Sequence, residues 1–441
     1  MEFVHSLRRL WRHRYFRRLL AVRIATQSCD GLLQTALASY VLFSPERQPD
    51  AGSVAAVLAI TLLPFSVLGP FVGVVLDRWQ RRQILVLADL TRSALAVGLA
   101  ALVATGLRTP GIETLFYGGV LLTMSVNRFL LAALSSSLPH TIDPDEYLVA
   151  NAVVPTVGPA GVLVGVGVGT GLRLLLGGRM PAYSADAALF AVAALGFVFS
   201  ASLALRIPRR QLGPDTPALT TARTVLAGLL GAFRHLGDRR PAAVGLTTIG
   251  AHRLVYGVVT VATILVYRNH FHSPEQVDAA IADLGLLVVV TGAGFVLAAA
   301  ITPVASARVG VRGWMLACLV SSGVFQVMPG AIYRKPALLI AAFLLGITAQ
   351  SIKICVDTLV QAHVDDHFKG RVFVIYDMIF NLALVTAAAV GALLLPDDGK
   401  SVVIVVALAV SYLIIGAVFA AVSRGLDLDS GTESLHSVAN R

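Results

Sequence analysis

Twelve apolar runs, each long enough to cross a lipid bilayer, follow one another along this chain with short polar breaks between them. A helix needs about 20 apolar residues to span the hydrocarbon layer. Inside lipid the backbone must satisfy its own hydrogen bonds, so each run is expected to be helical. The runs lie at about 19–43, 53–76, 84–107, 115–138, 152–176 and 184–206, and then at about 241–267, 285–305, 314–332, 337–361, 371–395 and 401–423. They are called spans 1 to 12 here. Twelve spanning helices need at least roughly 240 residues, which leaves only short loops in a chain of 441. Hydrophobic residues make up 56% and charged residues 14% of it, with a mean hydropathy of +0.78. That composition excludes a soluble globular domain of this size.

The net charge of +10 is distributed in a way that argues against a nucleic-acid partner. With the N-terminus on the cytoplasmic side, 22 of the 35 Lys and Arg fall in cytoplasmic segments or, as Arg206 and Arg371, at the cytoplasmic ends of spans 6 and 11. Such an excess is what the positive-inside rule predicts, and it places both termini in the cytoplasm. The Arg-rich start (Arg8, Arg9, Arg12, Arg14, Arg17, Arg18) runs into a full-length span and reads as a cytoplasmic N-terminus, not as a removable signal. Cys29, Cys318 and Cys355 all fall inside spans, so no structural disulfide is expected.

A polar segment divides the spans six and six. The expected organisation is an N-terminal half at 1–206, a cytoplasmic linker at 207–240, a C-terminal half at 241–423 and a tail at 424–441. Within the linker, Ala222 to Leu236 has the pattern of an amphipathic helix at the membrane surface. Shifting the sequence by about 222 residues brings Asp30 onto His252 and Arg128 onto Gln350, the trace of a degenerate parallel repeat.

Polar stripes break several spans. In span 1, Arg23, Gln27, Asp30 and Gln34 fall within a sector of roughly 60° on one helix face. In span 10, Gln350, Lys353, Asp357 and Gln361 share the same geometry. Span 4 holds Asn127 and Arg128, and span 7 holds His252, Arg253 and Tyr256. Charges at membrane depth are costly and face a partner or a water-filled path. The chain therefore reads as a membrane protein with a polar interior, the kind that moves a solute.

The break after span 2 reads Gly73-Val-Val-Leu-Asp77-Arg78-Trp-Gln80-Arg81-Arg82. It resembles the signature loop of the major facilitator superfamily, Gly-x-Leu-x-Asp-Arg-x-Gly-Arg-Arg, with Gln80 in place of the second glycine. Leu63-Pro64, Gly69-Pro70, Gln27-Ser-Cys-Asp30-Gly31 and Gly370-Arg371-Val-Phe are similar to the drug and siderophore exporter branch, the proton-driven drug antiporter 3 type. The resemblance implies two six-helix halves working by alternating access. It makes Gly73, Asp77, Arg78, Arg81 and Arg82 a conformational latch. It also places spans 1, 4, 7 and 10 around a central cavity.

In that frame Asp30 and Arg128 are the expected proton-coupling pair, with Arg23 as a competing partner. Span 4 departs from the exporters' Arg-x-x-x-Gly pattern, because Ala132 stands where they carry glycine. Arg23, Gln27, Gln34, Asn127, His252, Arg253, Tyr256, Gln350, Lys353 and Asp357 are expected to line the cavity. Its charges, Arg23, Arg128, Arg253 and Lys353 against Asp30 and Asp357, sum to +2. That balance favours an anionic or zwitterionic solute over a cationic drug. Lys353 and Asp357, four residues apart, also have the spacing to neutralise each other. Gly158, Gly161, Gly165, Gly167, Gly169 and Gly171 in span 5 form a small-residue face for close helix packing. Asp89 and Arg92, three apart in span 3, read as a structural pair.

The leading expectation is proton-coupled export of an amphipathic small molecule from the cytoplasmic membrane by a monomer. The partners are the solute, protons and lipid; no nucleic acid, cofactor, metal or enzymatic activity is expected. An importer or lysophospholipid flippase of the same fold remains open, as does a non-transporting membrane sensor.

Overall fold

The computed structural model describes residues 10–42, 50–72, 79–143, 147–213, 222–273, 275–328 and 331–429. All regular elements among them are helices. The helices are α1 (Arg14–Leu42), α2 (Ala51–Val67), α3 (Arg81–Ala104), α4 (Pro110–Ser137), α5 (Tyr147–Gly177), α6 (Ala182–Leu205), α7 (Ala222–Asp238) and α8 (Arg240–Leu265). Then follow α9 (Val277–Val327), α10 (Lys335–His363), α11 (Asp366–Leu394) and α12 (Val402–Val422).

The twelve expected spans map onto eleven of these helices, because spans 8 and 9 share α9. That helix breaks at Gly310, whose φ of 76° suits glycine because no Cβ crowds the carbonyl there. The side chain of Asp429 accepts from Val311 N at 2.7 Å and so caps the second half of α9. Nine described helices are long and apolar enough to cross a membrane. The first helix falls outside that set because Arg14, Arg17, Arg18, Arg23 and Asp30 lie within it.

The backbone forms two compact units, one of residues 1–48 with 67–225, the other of 49–66 with 226–441. Span 2 thus differs from the expected division at 206: most of α2 groups with the second unit, where Ser66 donates to the Met378 carbonyl of α11 at 3.5 Å. Hydropathy locates a span but says nothing about which helices it packs on.

Close approach organises the first unit. A Cβ on Gly165 would overlap the Ser28 carbonyl, and one on Gly31 would overlap the Val162 carbonyl. Gly158 and Gly169 meet Gln27 and Thr35 in the same way. The glycine face of α5 therefore lies directly on α1, as small residues allow in membranes, where packing replaces the hydrophobic effect. In the second unit, α7 is stacked on α11 through His235 and Phe368, 4.4 Å apart, while Leu226, Leu230 and Phe233 remain exposed along one face. Their i, i+4, i+7 spacing is that of an amphipathic helix.

Candidate functional site

Each unit carries a buried polar cluster. In the first, Asp30 of α1 is ion-paired with Arg92 of α3. Arg92 also contacts Asp89 Oδ1 at 3.3 Å through Nη1, which lies 3.1 Å from Thr26 Oγ1. The Thr26 hydroxyl donates to the same Asp89 oxygen at 2.9 Å. The guanidinium lies 4.0 Å above the Phe197 ring of α6. Asp30 is 2% exposed, and Asp89 and Arg92 are fully buried. Two carboxylates thus share one guanidinium, with the Ser200 and Thr26 hydroxyls beside Asp89. The cluster holds two negative charges against one positive, so one proton makes it neutral.

This geometry corrects the expected Asp30–Arg128 pair. The ion pair of Asp30 runs to Arg92, because α3 carries Arg92 to the level of Asp30. Arg128 is half-buried and stands against Gly69, its Nε 3.3 Å from where a Cβ would sit. Asp89 and Arg92, expected only to hold each other, belong to the same group as Asp30. The sequence signal was present, since both are charges inside an apolar span. What it lacked was the helix rotation that joins them to α1.

A second buried ion pair in this unit gives a contrast. Arg173 Nε lies 2.9 Å from Asp186 Oδ1, and Ser39 Oγ donates to that oxygen at 2.6 Å. Here the carboxylate is not in surplus, since Arg108 also lies within electrostatic range of Asp186, and the pair links α5, α6 and α1.

Other expected residues of this unit are dispersed. Gln27 is buried with its carbonyl oxygen unpaired, Asn127 is 3% exposed with Oδ1 unpaired, and Arg23 and Gln34 are half-buried. Of the latch, Gly73, Asp77 and Arg78 lie outside the described residues. Arg81 donates to the Ser136 carbonyl at 2.9 Å and the Leu212 carbonyl at 3.0 Å, and Arg82 to the Leu205 carbonyl at 3.2 Å. Both arginines thereby meet carbonyls at the ends of α4 and α6, where the helix dipole favours a cation.

The cluster of the second unit lies on α8, α10, α11 and α12. His252 is 1% exposed and neither ring nitrogen has a hydrogen-bond partner among the described residues. Its ring centroid lies 6.0 Å from that of Tyr256 and 5.5 Å from that of Tyr412. Arg253 is 5% exposed and packs over Phe380 at 4.1 Å and Tyr256 at 5.3 Å. Lys353 Nζ contacts Asp357 Oδ2 at 2.7 Å, so the expected neutralisation along α10 is present. Lys353 also lies 5.7 Å from the Tyr376 ring centroid. Gln350 is half-buried on the same helix. Tyr376, Phe380 and Tyr412 were not anticipated; in apolar spans a tyrosine reads as packing unless its hydroxyl is left without a partner.

A family model described as Major Facilitator Superfamily matches residues 245–431. An uncharacterised MFS-type transporter of Mycobacterium tuberculosis (strain ATCC 25618 / H37Rv) is 32% identical over 395 residues, covering 88% of this chain and 87% of the relative. Among solved structures, the nucleoside transporter NupG superposes with a TM-score of 0.65 at 16% identity, covering 92% of this chain and 98% of that one. A bacterial homologue of the human lysosomal transporter Spinster, in an inward-facing and unoccupied conformation, gives 0.60 at 16% identity, with 92% and 96% covered. At such identities these likenesses concern the fold, while the mycobacterial relative extends along nearly the whole sequence. With its apolar helices and buried charge clusters, the chain is a multi-pass membrane transporter and belongs to the major facilitator superfamily.

Proposed function

We propose that this transporter exports an amphipathic small molecule, anionic or zwitterionic, in exchange for protons. The observation that carries the reading is the cluster of Asp30, Asp89 and Arg92, in which a dry site holds one more carboxylate than it has cations. An unpaired charge at membrane depth is costly, so the surplus carboxylate takes up a proton when water is excluded. Opening the cluster to water on one face releases it. Such a group loads and unloads as α1 and α3 change their surroundings, which is what coupling to alternating access requires.

In this reading Asp30 and Asp89 share the proton and Arg92 holds it in place. Arg128 serves as a second cation on α4. Arg23, Gln27, Gln34, Asn127, His252, Arg253, Tyr256, Gln350, Lys353 and Asp357 contact the solute. The segment from Gly73 to Arg82 acts as the latch. The protein works as a monomer in the inner membrane, with a linker at 207–240 and both termini cytoplasmic.

The test uses proteoliposomes carrying an internal pH-sensitive dye. Addition of a transported anionic amphiphile should move protons against it, and Asp30→Asn should abolish that movement while leaving the protein folded. Solute flux that proceeds without any proton movement would sink the antiport reading and leave a uniporter or flippase.

A further inference from the structure

The second unit contains buried polar atoms left over. Both nitrogens of His252, the Nε of Arg253 and the hydroxyl of Tyr412 are buried and have no hydrogen-bond partner among the described residues, while the Tyr376 hydroxyl is turned to Asp357. His252, Arg253, Tyr376 and Tyr412 are each at most 5% exposed. The hydroxyls of Tyr376 and Tyr412 lie within electrostatic range of the Arg253 guanidinium. Buried polar groups are nearly always satisfied, and a group of them left unpaired marks a place where something else binds.

The missing partner must accept hydrogen bonds and carry negative charge. A guanidinium has five donors and no acceptor, and a carboxylate is the acceptor that matches both its charge and its fork. Of the nearby carboxylates, Asp357 is engaged by Lys353 at 2.7 Å, and Asp377 lies on the Tyr376 side. With Lys353 and Asp357 neutralising each other, Arg253 is the cation left over among the described residues of the cluster, which sets the ligand's charge at one negative unit. Planar carboxylate geometry matches the guanidinium fork. The rings of Tyr256, Tyr376, Phe380 and Tyr412 adjoin it and supply apolar area for the rest of the molecule. A sugar or an inorganic anion would leave that area unused.

We infer that His252, Arg253, Tyr376 and Tyr412 form a subsite for the carboxylate of a monoanionic amphiphile with an aromatic body. This deepens the export reading above and rests on it for the direction and purpose of binding. The physical claim concerns the second unit alone.

The experiment measures binding to the purified full chain in a non-ionic detergent, by thermal shift and titration. The probes are 4-butylbenzoate, its uncharged amide 4-butylbenzamide, the cation 4-butylbenzylamine, and sodium phosphate. The benzoate should bind at least about tenfold tighter than the amide, a difference of about 1.4 kcal/mol. The amine and phosphate should not stabilise the protein. Arg253→Met should bring benzoate affinity down to that of the amide, and His252→Phe should weaken it several-fold. If Arg253→Met does not fold, Arg253→Lys and the wild-type probe series decide the question. Equal binding of benzoate and amide, stabilisation by the amine or by phosphate, or unchanged benzoate affinity in the Arg253 variant would overturn the subsite. Binding in detergent needs no ion gradient. Intact benzoate binding with no proton movement in proteoliposomes would therefore refute the antiport reading and leave the subsite standing.

Discussion

The two buried clusters are opposites. On α1 and α3, acceptors outnumber cations: Asp30 and Asp89 share Arg92, and Thr26 and the ring of Phe197 complete its surroundings. On α8 and α12, buried polar atoms of His252, Arg253 and Tyr412 have no hydrogen-bond partner among the described residues, and the cation Arg253 rests on the aromatic faces of Tyr256 and Phe380. The first lacks a proton and the second lacks an anion. Each cluster is thus defined by what its charge balance is missing.

Substitutions separate the two cases, and the largest effect belongs to the first cluster. Arg92→Leu strands two carboxylates in a dry site, and breaking a buried ion pair in this way costs about 3–5 kcal/mol. Little folded, monodisperse protein should survive solubilisation, as read by size-exclusion chromatography and thermal unfolding. A variant with wild-type Tm would show that Arg92 is not what holds the cluster together.

Asp30→Asn is the next test. It leaves Asp89 and Arg92 in balance, so the fold should persist while proton-driven flux falls by about a hundredfold, the lower end of what a positioned proton carrier contributes. Vesicle assays across a pH gradient give the readout. Flux that keeps its pH dependence would move the proton site elsewhere.

Arg253→Met should behave in the opposite sense to Arg92→Leu. Removing a buried cation that has no partner relieves a desolvation cost, and stability should stay level or rise by about 1–3 kcal/mol in the ligand-free protein. A marked loss of Tm would mean that the cation–π contacts with Phe380 and Tyr256 are structural anchors.

The smallest effect is expected for Lys353→Met. Lys353 and Asp357 are 35% and 28% exposed, and a pair that open contributes about 0–1 kcal/mol. A larger loss in thermal unfolding would promote the pair to the same class as Asp30 and Arg92.

Much of the architecture was legible because it depends on local sums. Apolar length located the spans without needing to know which helices touch. The small-residue spacing of α5 likewise announced close packing before α1 was known to be its partner. The Lys353–Asp357 contact was legible for the same reason, since residues four apart on a helix are neighbours in any fold.

Partnerships between helices were another matter. Asp30 and Arg92 are 62 positions apart, and only the rotation of α3 about its axis decides that Arg92 reaches α1 while Arg128 stands at Gly69. The separation of α9 into two segments at Gly310 depends on an aspartate more than a hundred residues later. The unsatisfied state of His252 and Arg253 is a statement about all the surrounding helices at once, and no single segment contains it.

The sequence by itself determined that this chain crosses a membrane many times, that it carries charges at depth, and which residue types bear them, because burial in lipid is judged residue by residue against a uniform solvent. The tertiary structure decided which charges neutralise one another and which are left over, because a buried charge is governed by the few ångströms around it, and those ångströms are set by how helices distant in sequence rotate and pack.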